Sequence, residues 1–159
     1  MEKKGHRVFL DSNVILSGLF SATGAPRLIL DILSLDLPVL TGLTGRLNLV
    51  EIERNLEKKM PGALPVYHRY LPKLNLEIVP LPSLEDVERF EGAADEKDLP
   101  VLVSAVNGRA DSFVTGDKKL ISLIARTRLF PFKTVTPAEF LDEILPGILQ
   151  KQPAPGTTA

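Results

Sequence analysis

The chain has 159 residues, of which 44% are hydrophobic and 25% charged, with a formal net charge of -1. This balance fits one globular domain and excludes a disordered or fibrous protein, and a net charge near zero gives no overall attraction to nucleic acid. The sequence has no cysteine and only two histidines, His6 and His68, which excludes a disulfide framework and a zinc site built from thiolates or several imidazoles.

The N-terminal half is predicted to start with a buried strand and to continue mainly as helices. Its first residues, MEKKGHRVFLD, contain no apolar segment of signal-peptide length, and no apolar run approaches the roughly 20 residues of a membrane span. We therefore expect a cytoplasmic protein with no membrane partner. The hydrophobic pattern predicts strands at residues 7–10 and 37–41, helices at 14–20 and 26–35, and an amphipathic helix at 47–59.

In the C-terminal half, predicted helices alternate with short strands. The helices fall at residues 64–74, 84–90, 100–107, 118–125 and 137–144, and the strands at 77–79, 112–115 and 134–135. This alternation predicts an α/β fold, a three-layer α/β/α sandwich with a mostly parallel central sheet of four to five strands. We expect one domain over residues 1–145 and a disordered tail over 146–159, which ends in PAPGTTA.

Carboxylates follow two of the predicted strands. Asp11 follows the strand at 7–10, and Asp117 follows the strand at 112–115 after a glycine; in a parallel sheet both ends lie at one edge. Asp98 precedes the helix at 100–107 and Glu51 lies on the helix at 47–59, from which both can reach that edge. Clustered carboxylates raise one another's pKa unless a cation compensates, so the group predicts bound Mg²⁺ or Mn²⁺ and hydrolysis of an RNA phosphodiester.

Three of these acids also have an ordinary structural explanation. Aspartate is a favoured helix cap, which accounts for Asp98 and Asp117, and Glu51 by itself is typical of an exposed helix face. Asp11 is the exception, because a hydrophobic strand delivers its carboxylate at the carboxyl end of that strand.

Several polar residues near these acids also have two possible interpretations, one functional and one structural. Asn13 and Thr115 are candidates for hydrogen bonds to the ligand carboxylates, or are ordinary turn and strand residues. Asp95 is either an outer ligand or a polar loop residue. The basic pair Lys118-Lys119, together with Arg126 and Arg128, is a candidate phosphate-binding patch, or a solvated surface.

Four segments taken together resemble the PIN-domain family, in particular its VapC-like branch of toxin components from toxin–antitoxin systems. They are VFLDSNV at residues 8–14, VEIERNL at 50–56, DEKDLPVLVSA at 95–105 and VTGDK at 114–118. No segment is specific by itself, but their order and spacing are. The resemblance extends over residues 7–145 and includes VTPAEFL at 135–141.

The resemblance implies a metal-dependent endoribonuclease that cleaves single-stranded RNA. The catalytic roles fall on four acids, of which the three aspartates would bind Mg²⁺ or Mn²⁺: Asp11, Glu51, Asp98 and Asp117. Ser12 replaces the family's common threonine beside the first acid and keeps the hydroxyl, and Glu53 remains an alternative to Glu51. The resemblance also implies a small antitoxin partner in the active-site groove and a homodimer.

Other functions agree less well with the residues present. A phosphatase of the haloacid-dehalogenase kind needs a second aspartate two residues after the first, where this chain has Asn13. A receiver-like phosphoryl-transfer module needs paired acids after the first strand, and Asp11 stands alone there. A PIN-fold protein that binds RNA or acts as a scaffold without cleavage is the remaining alternative.

Overall fold

A computed structural model describes residues 5–150, in which five strands form one parallel sheet. The strands are β1 (His6–Leu10), β2 (Leu40–Gly45), β3 (Glu77–Val79), β4 (Ser112–Val114) and β5 (Lys133–Val135). They lie in the order β3-β2-β1-β4-β5, and each neighbouring pair is parallel. The predicted parallel sheet of four to five strands is therefore confirmed.

Helices cover both faces of the sheet. They are α1 (Ser12–Phe20), α2 (Ala25–Ser34), α3 (Arg46–Lys59), α4 (Leu64–Tyr70), α5 (Leu84–Glu88), α6 (Leu99–Asn107), α7 (Lys118–Thr127), α8 (Pro137–Glu139) and α9 (Leu145–Gln150). Turns of 3₁₀-helix at Pro61–Ala63 and Leu71–Leu74 flank α4, and a π-helical turn, Phe140–Ile144, joins α8 to α9.

The central strand β1 shows why three layers form. Its side chains alternate between the two faces of the sheet, as in any strand. Val8 and Leu10 belong to a core cluster with residues of α1 to α4, α9 and the π-helical turn, whereas Phe9 belongs to a second cluster with residues of α6 and α7. Phe9 stacks on Phe113 of β4 with ring centroids 5.4 Å apart. The predicted α/β/α sandwich is confirmed.

Two predicted boundaries are wrong. The second strand was predicted at residues 37–41, but β2 is Leu40–Gly45 and is buried throughout; two glycines weaken its sequence pattern. Gly42 leaves room for the side chains of Leu33 and Leu76, whose nearest atoms would lie 2.8 and 2.9 Å from an added Cβ.

The second error concerns the predicted disordered tail. Its first residues, 146–150, belong to α9, because Ile148 packs into the core beside Leu145. The rest of the predicted tail, residues 151–159, lies outside the described residues.

The chain order of the strands leaves a crevice at the carboxyl ends of β1 and β4. From β1 the chain proceeds to β2 and β3 on one side, and only then crosses to β4 and β5 on the other. The connections after β1 and β4 therefore diverge, which in open α/β sheets opens a ligand site between the two strand ends.

Among the described residues no single helix is long and apolar enough to span a membrane. Helices α1 and α2 reach that length and composition only as a pair, bent by 91°.

Candidate active site

Asp11 lies where β1 passes into α1, at the crevice between β1 and β4. Its backbone N–H donates to the carbonyl of Val114 at 3.0 Å, which holds it against the end of β4. The Ser12 backbone N–H donates to Oδ1 at 2.8 Å, and the Thr115 hydroxyl donates to Oδ2 at 2.8 Å. Burial raises the pKa of Asp11, and the charges of Glu51 and Asp98 add to the rise, whereas the bonds from Thr115 and Ser12 oppose it.

Thr115 and Asn13 join the ends of the two strands. The buried Thr115 hydroxyl accepts the backbone N–H of Asp117 at 3.1 Å while it donates to Asp11. Asn13 accepts the Gly116 backbone N–H at 2.9 Å and donates to the Thr115 hydroxyl at 3.3 Å. The orientation of Asp11 and the loop that carries Asp117 are thus fixed by one network.

Asn48 is a residue of this site that the sequence analysis did not identify. Its side chain is fully buried in the first turn of α3, and Oδ1 accepts the Gly45 backbone N–H at 3.2 Å. Its Nδ2 donates to the Ser12 hydroxyl at 2.9 Å and approaches Oδ1 of Asp11 at 3.4 Å. The available signal was an amide one helical turn before Glu51, on the same helix face.

The structure places Glu51, and not Glu53, beside Asp11. The Ser12 hydroxyl lies 3.2 Å from Oε2 of Glu51 and can donate to it, since its own oxygen already accepts from Asn48. Glu53 lies on another side of α3, with Oε1 at 3.9 Å from Nδ1 of His68.

Asp98 and Asp117 each precede a helix but use their carboxylates differently. Asp117 caps α7, because its Oδ1 accepts the backbone N–H groups of Lys119 and Leu120, both at 3.1 Å. Asp98 makes no side-chain capping bond to α6. Burial raises the pKa of Asp98, and the charge of Asp117 contributes to the rise.

One pocket of about 400 Å³ collects all four acids. We call it the acidic pocket, and its lining also includes Ser12, Asn13, Lys97 and an apolar floor of Val101, Leu102, Phe113 and Leu120. Lys97 is a second residue that sequence reasoning missed; its charge lowers the pKa of Asp98. The predicted catalytic residues therefore share one cavity at the crevice.

Other predicted residues do not line the acidic pocket. Asp95 is exposed, although its charge raises the pKa of Asp98 and its carbonyl accepts the Asp98 backbone N–H at 2.9 Å. Lys118-Lys119 and Arg126 are exposed outside the pocket, and Arg128 lines a separate depression with Phe130 and Phe132.

The donor set of the acidic pocket fits a hard divalent cation, since four carboxylates supply only oxygen ligands. A cation would also offset the mutual repulsion that contributes to the raised pKa of Asp11 and of Asp98. Within residues 5–150, no group of three or more acidic or histidine side chains already converges as a metal site.

Solved structures of other proteins share this fold. The VapBC2 structure from Rickettsia felis, bound to a DNA fragment from its promoter, matches with a TM-score of 0.58 and 14% identity, over 82% of this chain and 98% of that one. The protein PAE2754 from Pyrobaculum aerophilum matches with a TM-score of 0.56 and 15% identity, over 89% and 96%. At these identities the likeness concerns the fold alone.

The sequence itself matches a family model. No curated protein matches the chain at a significant level. Residues 7–119, however, match the model of the PIN domain. This match spans more than half of the chain, from the first strand of the sheet to the start of α7. The protein therefore belongs to the PIN-domain family.

Proposed function

We propose that this protein is a metal-dependent ribonuclease that hydrolyses phosphodiester bonds of single-stranded RNA. The observation that carries the proposal is the acidic pocket, in which four carboxylates from separate parts of the chain meet at the switch point of the sheet. PIN domains are generally nucleases, and this chain belongs to that family. Lys97 is the single basic residue among those that line the pocket, so most of the negative charge of the four acids is left for a bound cation to offset.

Asp11, Asp98 and Asp117 would hold Mg²⁺ or Mn²⁺, with Glu51 as the fourth acid. When bound, the ion would supply the positive charge that activates water and stabilises the charge developing on the phosphate. Asp11 can offer Oδ1 and Oδ2 in a fixed orientation, because Ser12 and Thr115 donate to them.

The surroundings of the acids serve the same chemistry. Asn48 donates to Ser12, which directs the Ser12 hydroxyl toward Glu51 and keeps that carboxylate at the pocket. The apolar floor of Leu102, Phe113 and Leu120 limits water on the side toward the core. Burial of Asp11 lowers the dielectric around its carboxylate, which strengthens the interaction of that carboxylate with other charges.

The test is cleavage of a mixed single-stranded RNA pool with Mg²⁺, Mn²⁺ or EDTA. Glu51→Gln and Glu53→Gln form a matched pair, because both remove one charge from α3 and only Glu51 lines the pocket. We expect Glu51→Gln, Asp11→Asn and Asp98→Asn each to slow cleavage by about 100-fold or more, with Glu53→Gln near wild type. Metal-independent cleavage, or equal loss in Glu51→Gln and Glu53→Gln, would contradict the proposal.

A non-catalytic role is the competing outcome of the same experiment. If the protein binds the RNA pool but cleaves none of it with either ion, an RNA-binding or scaffold function replaces the ribonuclease proposal. Binding is measured separately, by fluorescence anisotropy of labelled RNA in EDTA.

We further propose that the protein is the toxin of a toxin–antitoxin pair, acts in the cytoplasm, and is inhibited by a small antitoxin. Support comes from the VapBC2 structure, a complex that shares this fold, and from the family. Induced expression in a bacterial host should arrest growth, and Asp11→Asn should not. The predicted homodimer is checked by light scattering of the purified protein.

A further inference from the structure

A second depression adjoins the acidic pocket and has a different character. It measures about 290 Å³ and is lined by Ser17 of α1, Pro26 of α2, Pro137 of α8 and Gly116. Asn13 and Asp117 line this depression and the acidic pocket alike. We propose that this flanking pocket holds one unpaired nucleobase of the RNA strand, next to the cleaved phosphate. The inference rests on the proposed ribonuclease function.

The boundary between the two pockets is formed by Asn13 and Asp117, and hydrogen bonds hold both side chains in place. Asn13 accepts the Gly116 backbone N–H at 2.9 Å and donates to the Thr115 hydroxyl at 3.3 Å, so its amide is held at both ends. An RNA chain that places a phosphate among the acids therefore passes Asn13 and Asp117, the two residues that line both pockets, to reach the flanking pocket.

The charges of the two pockets suit the two parts of a nucleotide. The acidic pocket contains Asp11, Glu51 and Asp98, which with a cation match a phosphate. Asp117 is the one ionisable residue lining the flanking pocket, and its Oδ1 already accepts two backbone N–H groups of α7. An uncharged base, and not a second phosphate, fits there.

The walls of the flanking pocket are preformed. An added Cβ at Gly18 would lie 2.9 Å from the carbonyl oxygen of Pro26, which shows how closely the start of α2 approaches α1. The capping box of α8 holds the chain beside Pro137, with Thr136 and Glu139 exchanging bonds of 3.0 and 3.1 Å. Preformed walls reduce the entropy lost on binding.

Size and polarity favour a single base. The volume is near the lower end of the ~300–1,000 Å³ of small-molecule pockets, too small for several nucleotides. The exposed Ser17 hydroxyl forms no hydrogen bond with the residues described, so it can donate to or accept from a base edge. Proteins read single-stranded RNA through such splayed bases.

The cleavage test combines a variant with altered RNA. Ser17→Phe fills the flanking pocket, and Ser122→Phe makes the same change at an exposed serine of α7 that lines neither pocket. Abasic nucleotides are placed singly at each position around the cleaved bond. We expect one abasic position to slow wild type and Ser122→Phe by about tenfold, equivalent to about 1.4 kcal/mol, and to leave Ser17→Phe unaffected.

The outcome separates a base site from simple blockage. If Ser17→Phe only obstructs the acidic pocket, it will still respond to the abasic position, because independent effects add. That result, or equal responses at every position, would overturn the inference while leaving the ribonuclease proposal intact.

A binding measurement covers the case in which no cleavage occurs. A short single-stranded RNA is titrated into ¹⁵N-labelled wild type in EDTA, and amide shifts are compared at Ser17, Gly116 and Ser122. Shifts at Ser17 and Gly116, in a protein that cleaves none of the RNA pool with Mg²⁺ or Mn²⁺, would support the base site and reject the ribonuclease. Shifts confined to other surfaces, or no binding at all, would reject the base site.

Discussion

Asp98 and Asp117 occupy equivalent positions before two helices, yet their backbones differ. Asp117 is extended, with φ -86° and ψ 97°, the conformation in which an N-cap side chain reaches the first backbone N–H groups. Asp98 has helical dihedral angles, φ -93° and ψ -23°, and forms no capping bond. Its carboxylate therefore forms no bond to α6 and lines the acidic pocket, where the charges of Asp95 and Asp117 repel it.

Because this repulsion destabilises the ionised form of Asp98 in the folded protein, the free energy of unfolding should depend on pH. Burial and the charges of Asp95 and Asp117 raise the pKa of Asp98, so the folded protein holds this proton more tightly than the unfolded chain. The stabilisation is complete below the ordinary pKa of 3.8 and is lost as pH rises through the raised folded pKa. We expect Asp98→Asn to unfold at a higher temperature than wild type at pH 7 in EDTA.

Thermal unfolding between pH 3 and pH 8 measures this effect. The difference between Asp98→Asn and wild type should shrink toward acid pH, where both side chains are uncharged. Asp142→Asn removes an exposed charge outside the acidic pocket and serves as the control. A variant less stable than wild type at pH 7 would contradict the prediction.

Asn48 provides a second prediction for single residues. Asn48→Ala removes a buried amide, which leaves the Gly45 backbone N–H without its acceptor and the Ser12 hydroxyl oxygen without its donor. Because unsatisfied buried polar groups cost ~1–3 kcal/mol each, we expect a loss of that order in the free energy of unfolding. Urea denaturation measures it.

The matched control lies on the same helix. Asn55 is half-buried in α3, and Asn55→Ala should cost less than Asn48→Ala. Cleavage should fall by about 10- to 100-fold in Asn48→Ala, as for other residues that orient ligands. Equal losses of stability in the two variants would show that Asn48 has no special role.

At the scale of helices and strands, the flanking pocket depends on close contact between α1 and α2. Gly18 of α1 is buried, and an added Cβ would lie 2.5 Å from Cδ1 of Leu30 and 2.9 Å from the Pro26 carbonyl oxygen. No rotation of the Leu30 side chain relieves the second contact. Alanine is too large here, although it favours helices elsewhere.

We expect Gly18→Ala to lower the free energy of unfolding by ~1–3 kcal/mol, the usual cost of overpacking. Gly147→Ala in α9 is the control, because nothing lies within 4 Å of an added Cβ there. Because alanine has a higher helix propensity than glycine, Gly147→Ala should be as stable as wild type or up to ~1 kcal/mol more stable. Urea titrations followed by circular dichroism compare the two, and a neutral Gly18→Ala would show that α2 moves freely.

Another long-range contact holds the opposite end of the sheet. Arg7 of β1 donates to the Gly108 carbonyl at 2.9 Å and pairs with Glu77 of β3 across the intervening strand β2. This buried arginine lies away from the carboxyl ends of the strands. It stabilises strand register and takes no part in the acidic pocket.

At the scale of the whole molecule, metal binding should be linked to folding. The four acids come from residues 11, 51, 98 and 117, so the unfolded chain lacks the site. A ligand of the folded state alone adds ~2.7 kcal/mol of stability at a concentration 100 times its Kd. We expect Mg²⁺ or Mn²⁺ to raise the unfolding temperature of wild type above its value in EDTA.

The linkage is checked by calorimetry across a range of metal concentrations. The increase should be small or absent in Asp11→Asn and Asp98→Asn and unchanged in Asp142→Asn. An equal increase in all four proteins would indicate non-specific binding to surface carboxylates.

The sequence by itself determined the layers, the strand-end position of Asp11 and the set of candidate acids. Periodicity of 2 and of about 3.6 residues is local, so strands and helices such as Glu77–Val79 and Arg46–Lys59 were predicted closely. The parallel sheet followed because alternating strands and helices leave few other arrangements. Gly42 and Gly45 of β2 weakened this local signal, and there the prediction failed.

Only the tertiary structure decided which side chains meet. The rotation of α3 about its axis places Asn48 and Glu51 against Asp11 and turns Glu53 toward His68. Backbone dihedral angles decide which aspartate caps a helix, and the crossover of the chain to β4 brings residues more than 100 positions apart, Asp11 and Thr115, into a 2.8 Å bond. These contacts depend on how elements pack, because local sequence carries no information on the orientation of one element relative to another.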